Sequence, residues 1–206
     1  MPESAEAVYA RVQSAVGQDG RLPMSRVQEW EIFPWEVVDG ALVPKVLPAP
    51  TGEPEPPRAG AGGVDCRLCR ADNRTDLMWQ DEHWRLTHPG KPTGLPLVLF
   101  LSTRAHLDFP EMSDDLAVEY GLLSVRLCRI MSELPNVGRV HVCRWGDGAE
   151  HLHVWFVART AGLPNVLGSM AVEWDEMLPP APEEVWRADL HAVAAALAEA
   201  GGEALV

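Results

Sequence analysis

Two histidines and a tryptophan alternate with apolar residues along one short segment of this sequence. His151, His153 and Trp155 are separated by single leucine and valine residues within 150–157. The alternation, together with β-branched and aromatic residues, predicts a β-strand in which alternate side chains share a face. The two imidazoles are then expected about 7 Å apart on one face. Neutral imidazole is a base, a nucleophile and a metal ligand, so the pattern predicts a functional site.

Two cysteines earlier in the chain have the spacing of a zinc knuckle. Cys66 and Cys69 form a C-x-x-C pair, and a tetrahedral zinc ion needs two further ligands, for which histidines are the natural supply. His191 falls in an alanine-rich helical pattern and is expected on a solvated face. Spacing does not choose among the other six histidines, which are His83, His88, His106, His141, His151 and His153. Cys128 and Cys143 are interpreted as small buried thiols.

Composition and charge exclude several classes of protein. The chain has 206 residues and a formal net charge of −13. It contains no run of Lys and Arg, whereas a nucleic-acid binder usually carries a basic face. No apolar run approaches the ~20 residues of a membrane span, and the acidic start lacks the order of a secretory signal. We therefore expect a cytoplasmic protein that binds neither membranes nor nucleic acids, in which any phosphate site is built locally.

The residue pattern divides the chain into residues 1–63 and residues 64–206. The first part is expected to hold an amphipathic helix over 3–16, a hairpin around Asp39-Gly40 and a Pro/Gly-rich linker that ends at residue 63. Several large apolar side chains of this part are expected to pack on the core or across a dimer seam, with residues 48–63 as a mobile connection. They are Trp30, Ile32, Phe33, Trp35, Val37 and Val38.

Residues 64–206 are expected to form the compact domain. Strand patterns cover 76–80, 83–87, 95–101, 138–145 and 150–158, and helical patterns cover 113–134 and 183–200. A few helices crossing a mostly antiparallel sheet make an α+β fold.

The order of these motifs resembles the histidine triad (HIT) superfamily over roughly residues 64–160. The shared features are the C-x-x-C pair, a buried strand followed by Arg-x-His at residues 104–106, a long helix, and a glycine-rich turn before His151 and His153. The likeness is strongest to the zinc-containing branch, which includes the galactose-1-phosphate uridylyltransferases. The resemblance implies an α+β domain with a mostly antiparallel sheet, one long helix and one C-terminal helix.

The resemblance also assigns roles to individual residues. It implies a structural zinc ion held by four side chains, Cys66, Cys69, His106 and His151. It makes His153 the nucleophile that takes up a nucleoside monophosphate or a phosphoryl group. The chemistry expected from it is nucleotidyl or phosphoryl transfer or hydrolysis on a small phosphate- or nucleotide-like substrate. A homodimer is a further expectation.

Some positions depart from the HIT pattern. Trp155 stands where the third histidine of the triad is found, and His88-Pro89 replaces the usual Asn-Pro before the buried strand. The residues expected to contact substrate are Arg144, Gly148, Trp155 and His88. Arg144 either counters a phosphate or forms a surface ion pair with Glu150 or Asp147, and Trp155 either stacks on a base or packs in the sheet.

Two other interpretations of function remain open at this point. In the first, the chain is a catalytically dead, zinc-stabilised module that binds a ligand or a protein, which Trp155 and the apolar N-terminal extension favour. In the second, the same fold serves an enzyme with a non-nucleotide substrate. A cavity beside His153 is expected of an enzyme, whereas a dead module is expected to fill that space.

Overall fold

The structure is a computed structural model that describes residues 1–24, 31–70 and 75–206. Eight strands are present among these residues: β1 (Trp35–Val38), β2 (Ala41–Pro44), β3 (Leu77–Gln80), β4 (Trp84–Thr87), β5 (Leu97–Thr103), β6 (Val137–Cys143), β7 (His153–Thr160) and β8 (Glu203–Ala204). The described helices are α1 (Ala5–Ala15), α2 (Asp114–Glu133), α3 (Met170–Met177) and α4 (Glu183–Ala198).

Six strands form one sheet in the order β6-β7-β5-β4-β3-β8, and every neighbouring pair is antiparallel. The expected α+β class with an antiparallel sheet is therefore confirmed. The long helix and the C-terminal helix are also found, within two residues of their expected ends.

The main core lies between one face of this sheet and helices α2 and α4. Helix α2 begins at the Ser113 cap, whose hydroxyl accepts a hydrogen bond from the Leu116 N–H. It buries Leu123, Leu127 and Met131 at four-residue steps, so one helical stripe faces the sheet. These side chains pack with alternate residues of the central strands, including Leu99, Leu101, Val154 and Phe156.

The opposite sheet face is partly covered by a second apolar cluster. Val98 and Val157 of the sheet pack there with Ala171 of α3, and Val12 of α1 packs against them. Helix α3 is absent from the helical patterns expected of residues 64–206. This second layer stops short of His153, which stays partly exposed at the beginning of β7.

Strand β7 begins three residues later than the sequence pattern predicts. His151 precedes it and is fully buried, so the expectation that both histidines are strand residues on one face is wrong. The Leu152 N–H donates to the Leu107 carbonyl at 2.8 Å, so this segment contacts the loop after β5 before the strand starts.

The N-terminal hairpin forms as predicted but does not pack into the core. Asp39 and Gly40 have φ values of 51° and 80°, as a tight two-residue hairpin turn requires. Trp35 is 43% exposed and Val37 is 70% exposed. The prediction that these side chains pack on the core of the same chain is therefore wrong. Their packing across a dimer seam stays a prediction. Trp30 lies outside the described residues.

The end of the expected mobile linker is held against the domain. The Ala59 N–H donates to the Gly148 carbonyl at 2.9 Å, and the Glu150 N–H donates to the Ala59 carbonyl at 3.0 Å. Contacts thus cross the boundary predicted after residue 63, and the division into two domains stays a prediction. Among the described helices, none combines the length and the apolar character needed to cross a membrane.

Candidate metal centre and active site

Four side chains that could hold a metal ion converge at the end of the sheet where β7 begins. Two belong to the C-x-x-C pair, one follows β5 and one precedes β7: Cys66, Cys69, His106 and His151. Their ligand atoms all lie within 4.8 Å of one another. These are the four residues that the resemblance assigns to zinc.

The spacing of the ligand atoms fits a tetrahedral ion. His151 Nδ1 lies 3.4 Å from Cys66 Sγ and 3.5 Å from Cys69 Sγ, and His106 Nδ1 lies 3.4 Å from Cys69 Sγ. A tetrahedral zinc with bonds of about 2.3 Å to sulfur and about 2.0 Å to nitrogen separates its S and N ligands by about 3.5 Å. Two thiolates and two imidazoles are also a donor set that zinc prefers. The residues therefore fit a structural zinc ion.

The backbone selects the tautomer that His151 needs as a ligand. Its Nε2 lies 2.8 Å from the Thr103 carbonyl oxygen, which accepts hydrogen bonds only, so Nε2 carries the proton. The Nδ1 lone pair is then directed at the cysteines. Burial lowers the pKa of His151, which keeps the ring neutral as a ligand must be.

His153 has the opposite arrangement of its two ring nitrogens. Its Nδ1 lies 2.8 Å from the carbonyl oxygen of His151, so Nδ1 carries a proton, and in the neutral ring Nε2 keeps the lone pair. The side chain is partly exposed on the face of the sheet away from α2 and α4. An imidazole oriented by one donated hydrogen bond, with its other nitrogen unprotonated, is suited to nucleophilic attack.

Trp155 belongs to a row of aromatic rings beside His153. Its ring centroid lies 4.7 Å from that of Phe100 and 5.3 Å from that of Trp145, and both contacts are edge-to-face. Trp145 is 43% exposed at the outer end of this row. The indole of Trp155 therefore packs in the sheet, and the exposed aromatic surface beside the site is contributed by Trp145.

Arg144 is held by an acidic residue that the sequence analysis did not consider. Its Nη2 lies 2.6 Å from Asp108 Oδ1, while Arg58 Nη1 lies 2.6 Å from Asp108 Oδ2. Burial acts to raise the pKa of Asp108, but the Phe109 N–H and the two guanidinium groups lower it overall. The ion pair expected for Arg144 with Glu150 or Asp147 is replaced by this pair with the buried Asp108, which also binds Arg58 at the end of the linker.

The remaining expected substrate contacts occupy two different places. His88 is buried against the Trp186 ring of α4, at a centroid distance of 4.9 Å. This is the helix-covered face, so the structure does not bring His88 to His153. Gly148 lies in the turn before β7, where its carbonyl is used by Ala59. Two cavities in the described part of the structure are lined by residues other than His153.

Sequence reasoning missed two polar residues on the His153 face. They are Arg85 of β4 and Ser102 of β5. The strand register places Arg85 opposite Ser102, and Ser102 opposite His153. Both residues are buried. In the sequence, each of these polar residues stands next to apolar residues of its own strand. Only the strand order shows that both lie on the same sheet face as His153.

No protein-family model and no curated protein matches the sequence. Several solved structures with a similar arrangement are histidine triad proteins. A zinc-bound histidine triad family protein from Mycobacterium smegmatis is 18% identical, covers 65% of this chain and 93% of its own, and has a TM-score of 0.47. A hypothetical histidine triad nucleotide-binding protein from Sulfolobus tokodaii is 14% identical over 65% and 93% of the two chains, with a TM-score of 0.46.

A third similar structure is a histidine triad protein from Marinobacter aquaeolei, 17% identical over 60% of this chain and 90% of its own, with a TM-score of 0.47. The converged Cys2His2 cluster contains the four residues that the sequence resemblance assigns to zinc. In motif order and metal-ligand set, this chain resembles the zinc-containing histidine triad proteins.

Proposed function

We propose that this protein transfers or hydrolyses a phosphoryl or nucleotidyl group through a covalent intermediate on His153. The observation that carries the proposal is the 2.8 Å hydrogen bond from His153 Nδ1 to the His151 carbonyl. It fixes the ring and leaves the Nε2 lone pair for attack on phosphorus. Covalent catalysis of this kind divides one difficult displacement into two easier ones.

The proposed reaction has two balanced steps. In the first, the Nε2 lone pair forms a P–N bond as the bond from phosphorus to the leaving group breaks. The leaving group keeps the bonding electron pair and takes a proton from solvent. In the second step, a water or another acceptor hydroxyl attacks phosphorus and loses its proton to solvent. The P–N bond breaks, and its electron pair returns to Nε2.

A zinc ion held by the four ligands would supply structural stability near the reacting group. The residues of this chain then position the reacting imidazole. The ring of His151 is fixed between the Thr103 carbonyl and the cysteines, and its own carbonyl fixes the ring of His153. These contacts therefore fix the position of the proposed nucleophile relative to the backbone at His151 and Thr103.

The turn before β7 offers donors for phosphate oxygens. The amide N–H groups of residues 146–149 donate no hydrogen bond to any described residue. Consecutive unpaired N–H groups in a turn can bind an anion. Asp147 and Glu150 lie in or beside the same turn, which disfavours a substrate with many negative charges.

A binding module without catalysis is the second candidate. It is favoured by the row Phe100, Trp155 and Trp145, which replaces the third histidine with an indole that offers only an N–H donor. It is also favoured by the pairing of Arg144 with Asp108, which removes one expected phosphate contact.

Intact-mass measurement separates the two candidates. The protein is mixed briefly with nucleoside phosphoramidates, aminoacyl adenylates and sugar nucleotides, then quenched under alkaline conditions that preserve phosphohistidine. Under the proposal, one of these donors adds the mass of a phosphoryl or nucleotidyl group, which peptide mapping places on His153. His153→Ala should abolish the adduct, whereas the control His191→Ala, at an exposed position on α4, should keep it. Ligand binding without an adduct from any donor class would support the binding module.

A further inference from the structure

Residues 58–63 form a strap that lies directly against the ligand cluster. A Cβ placed on Gly60 would lie 3.1 Å from the Cys66 Cβ and 3.3 Å from its Sγ. A Cβ placed on Gly63 would lie 3.6 Å from the His106 ring. A side chain at Gly60 would crowd Cys66, and the φ of 79° at this position also favours glycine. The strap therefore packs on two of the four residues that fit a zinc ion.

One carboxylate lies between the strap and the metal centre. Glu150 Oε1 accepts a hydrogen bond from the Gly62 N–H at 2.8 Å and lies 4.0 Å from His106 Nε2. Its Oε2 lies 3.8 Å from Arg58 Nη2. The same side chain thus faces a candidate zinc ligand, a backbone N–H of the strap and a cation of the strap.

His106 needs an acceptor at the nitrogen that faces this carboxylate. Its Nδ1 lies 3.4 Å from Cys69 Sγ, so Nε2 carries the proton when Nδ1 is a metal ligand. Nε2 is buried, and no group among the described residues forms a hydrogen bond with it. A ligating imidazole almost always donates its other N–H to a carboxylate, a carbonyl or water. The ring of His151 already has such a partner in the Thr103 carbonyl.

We infer that Glu150 accepts the hydrogen bond of His106 Nε2–H in the zinc-bound protein and so ties the strap to the metal centre. The present distance of 4.0 Å is about 1 Å longer than such a hydrogen bond, so the carboxylate moves toward the ring. Glu150 is a positioning residue, because it acts through His106 and the Gly62 N–H. The inference goes beyond the proposed function, since it holds whether or not His153 attacks phosphorus.

The strap also supports the turn before β7. The Ala59 N–H donates to the Gly148 carbonyl at 2.9 Å, and Arg58 Nη1 donates to the Gly146 carbonyl at 3.0 Å. Both contacts engage carbonyl groups of the turn whose N–H groups are proposed to bind phosphate oxygens. Weakening the tie at Glu150 is therefore expected to loosen this turn together with the strap.

The rate of zinc release tests the contact with His106 without any turnover. The full-length, zinc-loaded protein is mixed with a chromophoric chelator, and zinc transfer is followed by absorbance. Glu150→Ala is expected to release zinc about 10- to 100-fold faster, because losing the acceptor behind a ligand costs this much in metal affinity. Glu150→Gln keeps an acceptor oxygen, so a few-fold increase is expected. The control Asp147→Asn, at an exposed position of the same turn, should release zinc at the unmodified rate.

Cobalt(II) bound in place of zinc gives a readout that an anchoring role alone would not move. The visible absorption of the cobalt protein reports the ligands of the ion. Glu150→Ala is expected to shift these bands, because the His106 ring loses the contact that orients it. Glu150→Gln should restore most of the unmodified spectrum, and Asp147→Asn should leave it unchanged.

Trypsin cleavage after Arg58 measures whether the strap is docked. In the zinc-loaded protein Arg58 lies 2.6 Å from Asp108, so this site should be protected. Glu150→Ala is expected to speed the cleavage by about 10-fold, because cleavage follows the population of the opened segment. Cleavage after Lys45 is the control within the same chain, since the next residue, Val46, is 87% exposed, and its rate should stay the same.

Two results would overturn the inference. If zinc release and the cobalt spectrum of Glu150→Ala match those of the unmodified protein, Glu150 serves only the strap. If zinc release rises and cleavage after Arg58 does not, the strap is not tied to the metal centre by this side chain. Should Glu150→Ala fail to fold, equal zinc release in Glu150→Gln and Asp147→Asn would reject the role of the carboxylate. None of these measurements needs a His153 adduct, so they stand even if the proposed function fails.

Discussion

The ring of His153 is oriented by the backbone of His151. Its Nδ1 donates to the His151 carbonyl oxygen at 2.8 Å, while the His151 ring itself is held by the Thr103 carbonyl at 2.8 Å. The proposed nucleophile and the proposed metal ligand are thus consecutive members of one chain of contacts. A change at the metal centre is expected to reach the nucleophile through the backbone of His151.

The first prediction concerns zinc. The purified protein should contain about one equivalent of zinc, and Cys66→Ser or His106→Ala should lose it. Structural zinc contributes free energy of folding, so the loss should destabilise the fold by roughly 3 kcal/mol or more. Metal analysis and thermal unfolding measure both effects. Cys128→Ser, on helix α2 and outside the cluster, should keep the zinc. Unchanged zinc content in the cluster variants would reject the ligand assignment.

The second prediction separates the roles of the two histidines at the start of β7, His151 and His153. His151→Ala should lose zinc and stability, because its ring lies among the ligand atoms. His153→Ala should keep zinc and lose turnover of a verified substrate by several orders of magnitude, as removal of a nucleophile does in other covalent enzymes. Metal analysis, unfolding and kinetics on both variants measure the contrast. Equal loss of zinc in both variants would instead indicate a general disturbance of β7.

A third prediction concerns the aromatic row. Trp155→His should leave zinc in place, because Trp155 is outside the ligand cluster. It should cost roughly 1–3 kcal/mol of stability through the lost ring contacts with Phe100 and Trp145. If the indole occupies space that the substrate needs beside His153, hydrolysis of a nucleoside phosphoramidate should rise. Trp155→Phe retains an aromatic ring without a second imidazole, so a similar rise in both variants would assign the effect to space rather than to the histidine.

The fourth prediction is a pH dependence of stability from Asp175 on α3. Burial raises the pKa of this carboxyl to about 6, although the Leu95 N–H donates to it at 2.8 Å. The folded state then binds the proton more tightly than the unfolded state, so stability falls as the pH rises from about 4 to about 6 and levels off above that. The shift corresponds to roughly 2–3 kcal/mol.

Asp175→Asn should remove this contribution. Urea unfolding at several pH values should show the variant gaining stability relative to the unmodified protein between pH 4 and pH 7, with no further gain above that. Glu176→Gln, at the exposed neighbouring position, is the control and should show little of this gain. A stability difference between Asp175→Asn and the unmodified protein that is independent of pH would contradict the assigned pKa.

Much of the architecture could be predicted from local patterns. The antiparallel strands, the helix after Ser113 and the hairpin turn at Asp39-Gly40 follow from side-chain periodicity, capping and backbone preference, all of which act over a few residues. The same patterns failed for helix α3 and for the start of β7. There, contacts with distant residues, such as that of Leu152 with Leu107, decide the conformation.

The sequence by itself determined which residue types were present to do chemistry: a cysteine pair with knuckle spacing and two histidines that alternate with apolar residues. Tertiary structure decided which of them meet. It joined Cys66 to His151 across 85 positions, turned His88 toward α4, paired Arg144 with Asp108, and aligned Arg85 with His153 through strand register. The physical reason is that ligand sets, ion pairs and cross-strand rows depend on distances between side chains, and those distances are fixed only when the sheet assembles.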